Sequence, residues 1–439
     1  MEEVVIEKLV FGGQGLGTLA DGRKVFAWNA LPGETVRIRI IKKKKSYVEA
    51  IAEEIVKPSK ERKEPEEKNY LATSPWQIMS YKSENEYKKS ITQELFERAG
   101  VKIPQFKLID GPGKAAGNDE FTPSLRAMEN PPGVFHYRNK MEYSFWGDDD
   151  GLHLALHQRG SHGKQIVQGS KLALPAIDAA ASAICVQLNS MNARAGDLKT
   201  IIVRANQNGD AVASLFVKLD RFKELELPKE LKGLRVYHSN PKSPASVPTK
   251  LLHETGDPLL EDELLGKPFV YDVDSFFQVN IPIFEEALRS IKAHIDEPAV
   301  TDMYAGVGSI GLSVASEKVD LVELDPATAR MAAHNASSSD HMSVSVVETS
   351  TEKALEYITA DNPVIFDPPR AGLHDKVVAR VLEVLPEKVV YLSCNPSTQA
   401  RDLARLQEKY EIQFFEAYNF FPRTPHIETL AVLKIRTLK

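Results

Sequence analysis

Cys394 closes a hydrophobic run in YLSCNPSTQARDL (391–403), and Glu428 opens the last such run in FFPRTPHIETLAVLKI (420–435). A thiolate is a strong nucleophile and a carboxylate can serve as a general base, so the two types together suit covalent catalysis. A lone cysteine is more often a small buried hydrophobe, and its company must decide. The other cysteine, Cys185, falls in PAIDAAASAICVQLNSMNA at helical apolar spacing and reads as packing. Two cysteines so far apart build no disulfide framework, and neither stands in a zinc-binding spacing. Any cysteine chemistry here is therefore single-thiol chemistry.

Further candidates precede Cys394 in order. DMYAGVGSIGL sets Gly306, Gly308 and Gly311 in a turn from strand to helix, where backbone can approach a ligand closely. The next strand ends in VELDP, which projects Glu323 where an acidic side chain accepts hydrogen bonds from a ribose diol. A third ends in VIFDPPRAGL, where Asp367 and two prolines make a rigid loop with few backbone donors. A glycine turn alone also serves dinucleotides. The D-P-P loop after it resembles S-adenosylmethionine-dependent methyltransferases.

The elements that must position these residues alternate. From about residue 270 the pattern is β-α-β, which implies a doubly wound sheet with helices on both faces and a ligand site at the carboxyl ends of its strands. The first sixty residues differ. VVIEKLV, GLGTLA, KVFAWNA, TVRIRII and YVEAIAEEIV read as five short strands between Gly, Asp-Gly and Pro-Gly turns, the pattern of a small OB-type barrel. KPSKERKEPEEKN reads as a charged linker, and SYKSENEYKKSITQELFERAG as an amphipathic helix ended by Gly100. Residues 133 to 225 turn β-rich again. At 439 residues, with 42% apolar and 26% charged residues, the chain is globular and long enough for two or three compact units.

The formal charge of -6 argues at first against a nucleic-acid partner. Clustering qualifies it: Arg37, Arg39, Lys42, Lys43, Lys44, Lys45, Lys57, Lys60, Arg62 and Lys63 face only Glu49, Glu53, Glu54 and Glu61 over the same stretch. That is a local basic surface. The N-terminal MEEVVIEKLV lacks a basic flank before an apolar run, and no stretch is long and apolar enough to span a bilayer as a helix. A cytoplasmic protein without a membrane partner is expected.

Taken together, ALPGE, HYRNKMEYSF, SFFQVN, FDPPRAGL, SCNPSTQARDL and FPRTPHIETLAVL resemble the RNA uracil-C5 methyltransferases that carry an N-terminal TRAM domain. The resemblance runs, with gaps, over nearly the whole chain. It implies a Rossmann-like class I α/β methyltransferase domain at 269–439, a TRAM-like OB barrel for RNA at 1–61, and a β-rich central RNA-binding domain at 62–268. The helix near 81–100 is open to packing on the catalytic domain. It also implies Cys394 as nucleophile, Glu428 as general base, and Gln278, Tyr304, Ser309, Glu323 and Asp367 as contacts to S-adenosylmethionine. Many relatives hold an iron–sulfur cluster. Here Leu71 and Ser74 stand at two of the thiolate positions and GSKLALP at the central one, so neither a cluster nor any other metal is expected.

Uracil C5 is a poor nucleophile at neutral pH, so the chemistry needs a thiolate at C6 to activate the ring. Arg370 and Arg401 are the cations available to lower the Cys394 pKa. The target base must be flipped or drawn from a loop, with Arg138, Asn139 and Lys140 of YRNK as a gripping surface. Barrel and length favour 23S ribosomal RNA over the T-loop uridine of transfer RNA, with the protein acting as a monomer. A cytosine-C5 methyltransferase and an inactive RNA-binding protein are the rival readings.

Overall fold

The computed structural model describes residues 2–111, 133–161, 163–243, 245–339 and 342–436. By its internal contacts the chain divides into two compact units, one of Met1–Ile91, Thr122–Pro258 and Phe421–Pro425, the other of Thr92–Phe121, Leu259–Phe420 and His426–Lys439.

In the first unit, strands β1 (Glu2–Leu9), β2 (Gly15–Thr18), β3 (Lys24–Trp28), β4 (Thr35–Lys43) and β5 (Tyr47–Lys57) close into a barrel in the order β1-β2-β3-β5-β4. Alternation builds it: Val4, Ile6, Val25, Ala27, Val36, Ile38, Val48 and Ala50 point inward and are buried. At Gly17 a Cβ would stand 2.6 Å from the Val5 carbonyl oxygen, so the β1–β2 pair closes only over glycine. The stretch expected as a linker is fixed to the barrel. Arg62 donates to the fully buried Glu34 carboxylate (2.7 Å) and to the Asn29 carbonyl (3.0 Å).

The same unit holds a seven-stranded sheet of β7 (Lys140–Asp148), β8 (Gly151–His157), β9 (Lys164–Ile166), β10 (Leu198–Ala205), β11 (Ala211–Val217), β12 (Gly233–His238) and β13 (Lys250–Gly256), ordered β13-β12-β11-β10-β7-β8-β9. The helix Pro175–Ser190 buries Ile177, Ala180, Ala181, Ile184 and Leu188 in the same core. Cys185 lies in that core, its thiol donating to the Leu152 carbonyl at 3.3 Å. Asn139, expected on an RNA-gripping surface, is instead fully buried, because it sits where the chain enters β7 and its carbonyl accepts from the Ala205 amide.

The second unit is an eight-stranded sheet. It contains β6 (Leu108–Ile109), β16 (Ala299–Asp302), β17 (Lys318–Glu323), β18 (Ser343–Glu348), β19 (Val364–Phe366), β20 (Lys388–Ser393), β21 (Tyr410–Tyr418) and β22 (Glu428–Ile435), ordered β18-β17-β16-β19-β20-β22-β21-β6. The five strands from β18 to β20 are parallel; β22 runs antiparallel to both β20 and β21. A hairpin of β14 (Leu259–Leu264) and β15 (Lys267–Asp272) precedes them. Residues 81–98 form the expected helix, and Gly100 ends it at φ +69°. Its Phe96 packs edge-on against Phe415, with ring centroids 4.9 Å apart.

Candidate active site

Chain order reverses between β16 and β19, and the candidate residues converge at the carboxyl ends of the strands on either side. Asp302 ends β16 and is fully buried. One carboxylate oxygen accepts from the Gly311 amide (2.9 Å) and the other from the Tyr304 amide (3.4 Å), which ties the glycine turn to its strand. Burial pushes its carboxyl up to about 7, and nearby Glu323 adds to this. The sequence reading missed Asp302; its position at a strand end just before AGVGS was the available signal.

The glycine turn has the openness a ligand needs. Gly306 adopts φ +56° with nothing within 4 Å of where a Cβ would be, whereas at Gly308, φ +85°, a Cβ would strike Leu312 at 2.8 Å. Glu323, at the end of β17, accepts from the Gly306 amide (2.9 Å) and the Asp325 amide (2.8 Å). Both of its oxygens are thereby aimed along the turn, each with a lone pair left for a ribose diol. Half-buried Tyr304 lies edge-on to Phe366 at 6.5 Å. Ser309 is half-buried in the turn and makes no hydrogen bond among the described residues. The residues present suit an adenosyl ligand: open space at Gly306, a carboxylate at the end of β17 with lone pairs to spare, and buried acids able to face a cationic sulfonium.

Across the switch point, Asp367 follows β19 and accepts from the Gln278 amide at 3.4 Å. Gln278 thus reaches the cluster instead of capping the helix Ile281–Lys292, which begins after Asn280. Burial, with the charge on Asp302, pushes Asp367 up to about 7, and the Gln278 hydrogen bond opposes this.

Cys394 and Glu428 meet because β22 is antiparallel. Ser393 pairs with Thr429, so their neighbours Cys394 and Glu428 leave the end of the ladder side by side. Glu428 is buried, its Oε2 has no hydrogen-bond partner among the described residues, and burial pushes its pKa well above the carboxylate range, helped by Asp367 and opposed by Arg370. The half-buried Cys394 thiol is pushed up to about 12, first by burial, then by Glu428 and Asp367, with Arg370 opposing. Of the two arginines available to lower it, Arg370 acts in that direction, and the net shift is still upward. Arg401 is bound to Asp402 (2.7 Å) and to the Ala371 carbonyl (3.0 Å), and the single remaining cation is outweighed by two acids.

The loops are pinned to each other. The Arg370 carbonyl accepts from the Asn395 amide (2.8 Å) and the Thr398 hydroxyl (3.2 Å), and buried Asp402 accepts from the Leu373 amide (2.8 Å) and the Tyr391 hydroxyl (2.9 Å). The D-P-P loop is thus locked to the helix that follows Cys394.

Part of the basic surface of the barrel is neutralised on the barrel itself. Arg37 pairs with Glu3 (2.9 Å) and Glu54 (2.7 Å), Arg39 with Glu53, Lys42 with Glu49 (3.4 Å) and Lys24 with Glu7 (3.7 Å). Lys43, Lys44 and Lys45, at the exposed tip between β4 and β5, have no carboxylate partner among the described residues.

A parallel sheet ordered about this switch point, closed by an antiparallel strand pair and carrying a glycine turn with an acid at the end of the next strand, is the class I fold of S-adenosylmethionine-dependent methyltransferases. A solved structure of the Pyrococcus abyssi tRNA (uracil-54, C5)-methyltransferase, with S-adenosyl-L-homocysteine, shares it with a TM-score of 0.74 at 21% identity, covering 98% of this chain and 100% of that one. Residues 263–436 match the tRNA (uracil-5-)-methyltransferase family and residues 2–52 the TRAM domain. RNA methyltransferases of Thermotoga maritima (28% identity, 99% of each chain) and Fusobacterium nucleatum (26%, 98% of this chain and 95% of the other), both described as uncharacterized, match along their length. The protein is an RNA (uracil-5-)-methyltransferase with an N-terminal TRAM domain.

Proposed function

We propose that the protein methylates C5 of a uridine in RNA through a covalent adduct between Cys394 and C6 of the base. The observation that carries this is the pairing at the end of the β20–β22 ladder: a thiol beside a buried carboxylate whose Oε2 is unpartnered. The Cys394 sulfur bonds to C6, and the electrons of the C5–C6 double bond move into the ring as an enolate nucleophilic at C5. The thiol carries its proton in the free site and releases it to solvent as the sulfur bonds to C6, so Glu428 is left unprotonated for the later step. S-adenosylmethionine, when bound, supplies the electrophilic methyl group. Glu323, Asp367, Gln278, Tyr304 and Ser309 are the residues we assign to holding it. Glu428 then takes the C5 proton; the C–H electrons restore the double bond as the sulfur–C6 bond breaks.

Large-subunit ribosomal RNA is the substrate we infer, from the TRAM domain joined to a chain of this length. The T-loop uridine of transfer RNA is the second reading, favoured by the description of the Pyrococcus enzyme. Phosphate contact is assigned to Lys43, Lys44 and Lys45, three consecutive exposed cations without a carboxylate partner among the described residues. We infer function without an iron–sulfur cluster: Ser74, at one expected ligand position, is buried and hydrogen-bonded to Glu67 (3.0 Å) and Gln77 (2.7 Å). The test is to incubate the protein with labelled S-adenosylmethionine and RNA from cells lacking it, then separate ribosomal from transfer RNA. Label in 5-methyluridine supports the reaction and its fraction names the substrate; no label in either fraction refutes it.

A further inference from the structure

We propose that Gln399 is a positioning residue for the general base, holding Glu428 in place relative to Cys394. This rests on the assignment of Glu428 and Cys394 above and goes one residue deeper into the fold. Gln399 lies on the helix Pro396–Leu406, which starts two residues after Cys394, and it is fully buried. Its amide nitrogen donates to the Tyr391 carbonyl (2.8 Å) on β20 and to the Thr429 carbonyl (3.1 Å) on β22, while its oxygen accepts from the Thr429 hydroxyl (2.7 Å). Three hydrogen bonds from one side chain thus join the two strands whose ends carry the thiol and the carboxylate. Two of the three fall on Thr429, the residue next to Glu428.

The asymmetry has a consequence for the chemistry. Cys394 has independent support, because the segment after it is held by Asn395 and Thr398 on the Arg370 carbonyl. The side chain of Glu428 has no such anchor: its Oε2 is unpartnered among the described residues, and what aims it is the backbone of β22, held at Glu428 by pairing with Tyr418 and at Thr429 by pairing with Ser393 and by Gln399. A carboxylate must come within hydrogen-bond reach of the proton it abstracts, so a small displacement of Thr429 slows proton removal while leaving thiol attack intact. A residue that merely filled space in the core would slow both steps together or neither.

The experiment separates the two steps. The full-length Gln399→Met and Thr429→Val variants are assayed on whichever of a 23S ribosomal RNA transcript and a transfer RNA transcript the wild-type protein methylates. With 5-fluorouridine in the transcript the C5 substituent cannot leave as a proton, so the burst of S-adenosylhomocysteine and of protein–RNA adduct reports attack and methyl transfer alone. With ordinary uridine, steady-state turnover also requires proton removal. We expect the burst rate to stay within roughly threefold of wild type in Gln399→Met, turnover to fall at least tenfold, and methylated adduct to build up on uridine RNA. Thr429→Val, which removes one of the three bonds, should show a smaller effect of the same kind, and Thr429→Ser should restore wild-type behaviour. An equal fall in burst and turnover, or no fall in either, refutes the proposal, as does loss of the fold in both Gln399→Met and Thr429→Val by thermal melting, which would make the role structural. Burst adduct in a Cys394→Ala control would refute the underlying assignment instead, so the two failures are distinct.

Discussion

The Cys394 thiol gives the most direct test of the site's electrostatics, through its reactivity in the free protein. With burial, Glu428 and Asp367 outweighing Arg370, its pKa stands at about 12. At pH 8 that leaves a thiolate fraction of roughly 10⁻⁴, against about 0.2 for an ordinary thiol of pKa near 8.5. A more basic thiolate is intrinsically more nucleophilic, and a Brønsted slope of about 0.45 over about 3.5 units recovers roughly 1.6 log units. Alkylation by iodoacetamide at pH 8 should therefore run roughly 50-fold slower than for a free thiol. Quantifying the modified 391–403 peptide by mass spectrometry over time gives the rate, and the log rate should rise with unit slope from pH 7 to 10. Glu428→Gln should speed the reaction wherever that carboxyl is charged, and Arg370→Ala should slow it. A free-thiol rate at pH 8, or a plateau beginning below pH 9, would refute this account of the site.

Other outcomes follow from the same geometry. Glu428→Gln should form the methylated adduct but release it roughly 10² to 10⁴ times more slowly, seen as a protein–RNA band resistant to denaturation. Replacing Lys43, Lys44 and Lys45 together by Gln should flatten the dependence of log affinity on log salt by roughly 2 to 3, whereas replacing Arg37 and Arg39, already paired with glutamates, should change it by less than about 1. Equal slopes for the two variants would count against the assignment. Asp302 and Asp367, both pushed up to about 7, hold protons in the folded protein that the unfolded chain releases above about pH 4. Their contribution to stability is full below that pH and lost as pH rises through 7, so the melting temperature should fall from pH 5.5 to 8.5, and less so in Asp367→Asn. Gly372→Ala should destabilise by at least about 1 kcal/mol, since φ is +77° and the new Cβ would stand 2.6 Å from an Asp402 oxygen; denaturant unfolding measures it.

The strand–turn–helix rhythm from residue 270, the glycine turn, Glu323 and the D-P-P loop were readable from residue order because each depends on neighbours a few positions away. The five barrel strands were legible for the same reason, their alternation and turns being local. Three features were not. Arg401 looked free to serve Cys394 but is held by its own neighbour Asp402, and Asn139 looked like surface but enters a strand in mid-sheet. The basic run looked like a continuous RNA-binding face, yet β4 lies between β1 and β5, whose glutamates pair with Arg37, Arg39 and Lys42.

Residue types and their spacing alone determined which side chains could do chemistry and on what kind of fold, since both follow from local propensity and periodicity. The meeting of Cys394 with Glu428, and the proton that Cys394 therefore keeps, was decided by tertiary structure. It depends on the antiparallel direction and register of a strand more than thirty residues further along the chain, and Coulomb interactions depend on distance in space.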